Sequence, residues 1–94
     1  MNQTIYKYKT PFEGKFSIQM PTNSEILSVQ QDKKTMCPCI WALVYPYNPK
    51  EERFFELFGT GQKIYNDMGI VRKYIGTYQY QNGEFVGHIF ERIN

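Results

Sequence analysis

The sequence predicts a single all-β domain over residues 1–94, a small antiparallel sandwich or barrel of about seven strands. Apolar and polar residues alternate along most of the chain, which is the period of a half-buried strand. Clusters of Pro, Gly, Asn and Asp divide the chain into short segments at close spacing. Aromatic residues make up 17% of the 94 residues, which excludes a disordered chain and supplies the bulk that a small core needs.

The first three predicted strands each bury one face. Alternation at Ile5–Tyr8 predicts the first strand, and alternation at Phe16–Met20 predicts the second. In the third, Leu27 and Val29 alternate with polar residues. Because side chains in a strand point to opposite faces in turn, we expect those two side chains on one face, toward the core.

The fourth strand is expected at Ile40–Val44, which is apolar on both faces. This pattern is typical of a central strand covered on both sides, so we expect Trp41 in the core. The last three strands are expected at Arg53–Phe58, Lys73–Tyr80 and Phe85–Ile93.

The strongest turn signal is Asn82-Gly83, because both residues tolerate the positive φ of a type I′ turn. This pair predicts a hairpin between the last two strands. A short helical turn within Gln62–Met68 is left open as an alternative to a plain loop.

Cys37 and Cys39 are separated by one residue, so a disulfide between them would close a very tight ring. The chain has no other Cys and a single His, His88, so it lacks the second ligand pair of a zinc site. We expect two reduced thiols at the start of a buried strand and neither a metal nor another cofactor. A metal site shared between subunits is the alternative.

The charge balance disfavours a nucleic-acid partner, because 11 Lys and Arg face 9 Asp and Glu and the net charge is only +2. The interleaved Tyr6-Lys7-Tyr8-Lys9 would suit a nucleic-acid-binding barrel, but a wide basic groove does not fit this balance. No apolar run approaches the roughly 20 residues that span a bilayer, and the N-terminus lacks the pattern of a signal peptide. We expect a cytoplasmic protein without a membrane partner.

The residues do not form a recognisable catalytic motif, and we expect no enzyme activity and no catalytic residue. A nucleophile–histidine arrangement would have to use His88, which falls inside a predicted strand. The carboxylates fall mostly in turns or on alternating polar faces.

Gly59-Thr60-Gly61 is the most suggestive local feature. Two glycines around a threonine allow backbone N–H groups to converge on an anion, with a hydroxyl beside them. The cations expected to neutralise a phosphate there are Lys63, Arg72 and Lys73. The alternative is a strand-ending turn in which glycine is needed only for its dihedral angles.

The second feature is the surplus of tyrosine. Tyr74, Tyr78 and Tyr80 are expected on one half-exposed face of a strand, opposite Ile75. A tyrosine face of this kind suits base stacking or a protein interface. The alternative is ordinary cross-strand packing.

Seven segments of the chain, in this order, resemble a family of short proteins encoded in bacteriophages and prophages. They are Ile5–Tyr8, Ile18–Pro21, Ile26–Gln30, Cys39–Val44, Phe58–Gly61, Tyr74–Thr77 and His88–Glu91. The resemblance implies a viral or prophage origin and no particular reaction. Related sequences often have His directly after Gly-Thr-Gly, whereas this chain has Gln62.

Together these observations predict a non-enzymatic, phage-encoded binding protein in the cytoplasm of the bacterial host. Its expected role is a counter-defence sponge that sequesters a nucleotide-derived immune signal. Backbone and hydroxyl groups of Gly59–Gly61 would bind phosphate, and Tyr74 or Tyr78 would stack on the base. The alternative is a protein that binds a host protein, or a small assembly factor, through an aromatic sheet face. Exposed strand edges predict a homo-oligomer in either case.

Overall fold

The computed structural model describes residues 2–11, 14–65, 69–80 and 83–93 and confirms the all-β fold. No helix occurs within these ranges. The seven strands are β1 (Thr4–Lys9), β2 (Lys15–Pro21), β3 (Glu25–Gln31), β4 (Pro38–Val44), β5 (Lys50–Gly59), β6 (Arg72–Tyr80) and β7 (Phe85–Arg92).

The strands form two antiparallel sheets. The three-stranded sheet has the order β1-β4-β3, and the four-stranded sheet has the order β2-β5-β7-β6. The short connections β1–β2, β2–β3 and β4–β5 each pass from one sheet to the other. If the two sheets lay side by side in one plane, connections this short could not span the distance between the strands that they join. The sheets therefore pack face to face as a small sandwich.

The core lies between the two sheets and takes residues from both. Its buried members are Met20, Val29, Ile40, Phe55, Leu57, Tyr78 and Ile89. Partly buried residues of β1, β2, β3 and β6 pack around them. Phe16 and Phe55, which are opposite each other on β2 and β5, stack with ring centroids 5.4 Å apart. Large aromatic side chains therefore fill the interior of this short chain.

β4 is the central strand of its sheet, but only one of its faces packs against the other sheet. Ile40, Ala42 and Val44 are fully buried against the core. Trp41 lies on the opposite face, where the Lys7 ammonium is 5.5 Å from its ring centroid. The prediction that Trp41 is a core residue is therefore wrong. In a sandwich of two sheets, each sheet packs against the other on one face only, so the outer face of even a central strand does not face the core.

A bulge in β3 changes which of its residues face the core. The pairing of β3 with β4 shifts between Ile26 and Ser28, so Leu27 is an extra residue. Leu27 is 46% exposed, while Val29 is buried. The expectation that these two side chains share the core face is wrong, because a bulge breaks the alternation of strand faces.

A second bulge has the same effect in β6. The pairing of β6 with β7 shifts between Tyr74 and Gly76, which makes Ile75 the extra residue. Tyr78 is a core residue with 3% exposure, whereas Tyr74 is 55% exposed. The predicted face of Tyr74, Tyr78 and Tyr80 is therefore wrong, and Tyr78 is not available to stack on a ligand.

The turns agree with the sequence where they are described. Tyr80 pairs with Phe85 across the β6–β7 hairpin, and Gly83 has a φ of 91°. Asn82 lies outside the described residues. Residues 62–65 are not helical, and the rest of the predicted Gln62–Met68 turn includes residues 66–68, which also lie outside them. No helix long and apolar enough to cross a bilayer exists within the described part of the chain.

The hydroxyl of Tyr78 is buried and has no hydrogen-bond partner among the residues that the structure describes. Burial also raises the pKa of this tyrosine. Since an unpaired buried hydroxyl is costly, Tyr78→Phe should increase the free energy of unfolding by about 1 kcal/mol in urea denaturation. Tyr78→Ala, which leaves a cavity, should decrease it by about 3 kcal/mol. A destabilised Tyr78→Phe variant would show that the hydroxyl is satisfied.

An ion pair joins the edge strand β1 to the β3–β4 turn. Lys7 Nζ donates to Asp32 Oδ2 at 2.8 Å, and this bond lowers the pKa of Asp32. Because the folded pKa lies below the unfolded one, Asp32 stabilises the fold above the unfolded pKa, and the contribution disappears as pH falls through the folded pKa.

Lys7→Ala should therefore raise the pKa of Asp32 toward its ordinary value in a carboxyl NMR titration. Lys34→Ala is the matched control. It removes a lysine but keeps the backbone N–H of residue 34 that donates to Asp32 Oδ1. Equal shifts in both variants would contradict the assignment of the effect to Lys7.

Candidate functional site

The Gly59-Thr60-Gly61 segment forms a tight turn at the end of β5. The Gln62 backbone N–H donates to the Gly59 carbonyl oxygen at 3.0 Å, and Gly61 has a φ of 86°. A turn with positive φ at its third position favours glycine there. The Gly59 backbone N–H donates to Gln62 Oε1 at 2.9 Å. Gly59 therefore does not offer its N–H to an anion, and the dihedral role accounts for Gly61.

Beside this turn, four side chains form a hydrogen-bonded row on the outer face of the four-stranded sheet. Thr60 Oγ1 is 2.7 Å from His88 Nε2, and His88 Nδ1 is 2.9 Å from Thr77 Oγ1. Thr77 Oγ1 is in turn 2.5 Å from the Tyr74 hydroxyl. We call Thr60, His88, Thr77 and Tyr74 the polar row.

The strand pairing positions the polar row. His88 on β7 lies opposite Phe58 on β5 and opposite Thr77 on β6. Thr60 follows Phe58 by two residues, so its side chain reaches the same ring from the β5 side. Three neighbouring elements thus bring their polar side chains to one line across the sheet.

Both hydrogen-bond partners of His88 in the polar row are neutral hydroxyls. A hydroxyl can donate or accept, so the row is satisfied with either nitrogen of the neutral imidazole carrying the proton. The row therefore offers a ligand adaptable donors and acceptors in fixed positions. This chemistry fits hydrogen-bond recognition of sugar hydroxyls, base edges or phosphate oxygens.

Aromatic rings support the polar row at the β6 end. Tyr74 packs edge-on against Phe90 with ring centroids 5.5 Å apart, and Phe58 packs edge-on against Phe90 at 5.9 Å. The Tyr74 ring is thus held in place although the residue is 55% exposed. A held and exposed aromatic ring is suited to stacking on a planar ligand.

Arg72, predicted as a phosphate ligand, is instead part of a buried ion pair. Its Nε donates to Glu56 Oε1 at 2.7 Å, and the two side chains are 11% and 5% exposed. The guanidinium also lies 5.7 Å from the Phe58 ring centroid and donates to the Tyr65 carbonyl oxygen at 3.3 Å. Its charge is neutralised by Glu56, so the structure places Arg72 in the scaffold beneath the site.

Lys73 lies on the face of β6 opposite to that of Arg72, and it pairs with Glu91 in the strand register. Arg53 binds that Glu91 through Nε at 2.6 Å and Nη2 at 2.8 Å, and its Nη1 donates to the Ser24 carbonyl oxygen at 2.6 Å. This bidentate bond raises the pKa of Arg53. Neighbouring residues of a strand point to opposite faces, which separates Lys73 from Arg72.

Two clefts open around this second group. A cleft of about 390 Å³ lies between β3 and β6, and one of about 820 Å³ lies along β5. Both have Ser24, Arg53, Lys73 and Glu91 in their walls, and Tyr74 lines the smaller one. The rest of the polar row lies on the open surface outside both clefts.

The predicted site residues therefore fall into distinct places. Thr60 and Tyr74 belong to the polar row, Lys73 lines the clefts, and Lys63 is exposed on the loop after β5. Arg72 is held by Glu56, and Tyr78 is in the core.

Sequence reasoning missed His88 and Thr77. The signal was present, because these residues are equally far along the chain from Asn82-Gly83 and must therefore pair across the predicted hairpin.

The cysteines form no part of this arrangement. Cys37 and Cys39 are free thiols, as expected, and burial raises the pKa of Cys39. In the described residues, no cluster of three or more His, Cys, Asp or Glu side chains is placed to hold a metal ion.

These features define a small β-sandwich with a polar row on one outer sheet face and a cleft at the adjoining edge. The chain belongs to the family described as a domain of unknown function (DUF7352), whose model matches residues 1–94. Neither a curated protein nor a solved structure matches the chain.

Arg72 and Lys73 are adjacent cations with different roles, and stability measurements should separate them. Arg72→Ala leaves the buried Glu56 without its closest partner, with Arg92 Nε 4.0 Å away, so it should cost about 2 kcal/mol in urea denaturation. Lys73→Ala, at an exposed position, should change stability by less than about 0.5 kcal/mol. Equal losses would contradict the assignment of Arg72 to the scaffold.

Proposed function

We propose that this protein is a non-enzymatic binding protein that captures a nucleotide-derived small molecule on the outer face of the four-stranded sheet. We further propose that it is phage-encoded and acts in the cytoplasm of the bacterial host, where it sequesters an immune signal. The observation that carries the proposal is the polar row, in which two residues singled out from sequence, Thr60 and Tyr74, are joined through His88 and Thr77.

The polar row favours binding because its groups are already ordered. Each side chain is held by its neighbours at 2.5–2.9 Å, so little rotamer freedom remains to be lost when a ligand binds. Exposed polar side chains on a sheet face are more commonly charged and hydrated separately. A connected row of hydroxyls and an imidazole instead matches a ligand rich in hydroxyls and ring nitrogens.

Tyr74 and Lys73 supply the remaining parts of a nucleotide site. The Tyr74 ring, fixed against Phe90, offers a stacking surface for a base. Lys73 is exposed and lines both clefts together with Arg53, so its charge can neutralise a phosphate. The resemblance of seven segments to phage and prophage proteins supports a counter-defence role for such a binding protein.

Native mass spectrometry with a pool of cyclic and linear nucleotides tests the proposal. The wild type should gain one discrete ligand mass per site, released unchanged on denaturation. Thr77→Val should weaken that binding about tenfold, because it removes the hydroxyl that links His88 to Tyr74. Thr4→Val, the same change at an exposed position of β1, is the matched control and should bind as the wild type does.

The same spectra report the oligomeric state, which we propose to be a homo-oligomer because β1 and β2 are edge strands of their sheets. A ligand returned with altered mass would show that the protein is an enzyme. A wild type that gains no nucleotide would contradict the proposed function.

A host-protein binder, or a small assembly factor, is the second candidate. It is favoured by Tyr6, which is 42% exposed on β1 and packs edge-on against Tyr8 with ring centroids 6.2 Å apart, while Tyr8 is partly buried against the core. This pair replaces the face of Tyr74, Tyr78 and Tyr80 that the sequence suggested. Tyr6→Ser would then abolish partner capture and Thr77→Val would not, the reverse of the order expected for a nucleotide sponge.

A further inference from the structure

The edges of the two sheets meet where β3 runs beside β6. These strands belong to different sheets, and no backbone hydrogen bond joins them within the described ranges. They touch at Gly76, where a Cβ atom would lie 3.1 Å from Val29 Cβ and 3.2 Å from Val29 Cγ2. The close approach of the strands thus depends on glycine at this position.

On one side of that contact the strands separate. The two bulges, at Leu27 in β3 and Ile75 in β6, flank the contact on this side. The cleft of about 390 Å³ opens here, between Glu25-Ile26 and Lys73–Ile75. We call it the seam cleft. Strand edges that are not paired present backbone N–H groups, and such edges form anion-binding concavities.

Two cations and two carboxylates line the seam cleft, and one of the cations makes no ion pair with a described residue. Arg53 and Glu91 neutralise each other through their bidentate bond. Lys73 makes no ion pair with any residue that the structure describes. Glu25 also borders the cleft, where its register opposite Leu43 places it on the outer face of the three-stranded sheet, and it makes no ion pair with Lys73.

Arg53 adds donors to that charge. A guanidinium has five N–H groups, and the three bonds to Glu91 and Ser24 occupy three of them. The side chain is 17% exposed, so a small anion can reach the remaining donors from the cleft.

We infer that the seam cleft is the phosphate subsite of this protein, with Lys73 and the free N–H groups of Arg53 as the ligands of the phosphoryl oxygens. The inference rests on the proposed function for the rest of the ligand. Tyr74 lines the cleft and joins the polar row through its hydroxyl, so one nucleotide can place its base and sugar on the row and its phosphate in the cleft. This location replaces the Gly59–Gly61 turn as the place where phosphate is bound.

The test is a titration of ¹⁵N-labelled protein with inorganic pyrophosphate at constant ionic strength, followed by amide chemical shifts. The wild type should show shifts at residues 24–26 and 73–76. Lys73→Gln should raise the midpoint about tenfold, because it removes a charge-assisted hydrogen bond. Lys63→Gln, the same change beside the Gly59–Gly61 turn, is the matched control and should leave the midpoint unchanged.

No shifts at the seam in the wild type, or an unchanged midpoint in Lys73→Gln, would overturn the inference. A loss in Lys63→Gln alone would place the anion at the turn and would overturn it too. The titration needs no nucleotide. Pyrophosphate binding at the seam without nucleotide capture would therefore contradict the proposed function and support the phosphate subsite. Nucleotide capture that is unchanged in Lys73→Gln would support the proposed function and contradict the subsite.

Discussion

The single extra residue at Ile75 governs much of this structure. Before it, Tyr74 faces outward, and after it, Thr77 also faces outward while Tyr78 enters the core. In a regular strand, residues three apart lie on opposite faces, so the Tyr74–Thr77 hydrogen bond could not form. The bulge thus completes the polar row, places a large side chain in the core and opens the seam cleft beside it.

Two arginine–glutamate pairs stabilise the four-stranded sheet, one on each face. Arg53 binds Glu91 on the inner face, and Arg72 binds Glu56 on the outer face. Pairing costs these arginines much of their capacity to attract a ligand, since their charges are neutralised. Lys73 is exposed and makes no ion pair with a described residue, so its charge is not neutralised. Both arginines therefore hold the sheet together, and Arg53 keeps only its remaining N–H groups for the proposed phosphate.

Features that depend on residues close together in the chain could be predicted from the sequence. The Asn82-Gly83 hairpin correctly predicted the β6–β7 pairing, and that register would also have placed Thr77 opposite His88. The Gly59–Gly61 turn was found as well. The bulge in β3 escaped prediction because it shows only as a mismatch with the strand beside it. The bulge in β6 is a mismatch of the same kind, although Gly76 inside that strand was a sequence signal for it. The mismatch in β6 places Tyr78 in the core and not on the predicted outer face.

The sequence by itself determined an all-β chain of seven strands, their approximate positions, and the turn residues that separate them. These depend on alternation and on backbone preference, which act between near neighbours. Only the tertiary structure decided which face each side chain occupies, which cations are neutralised, and which hydroxyls reach His88. Those outcomes depend on contacts between strands that are distant in the chain, such as Arg53 with Glu91, and a one-residue shift in register reverses them.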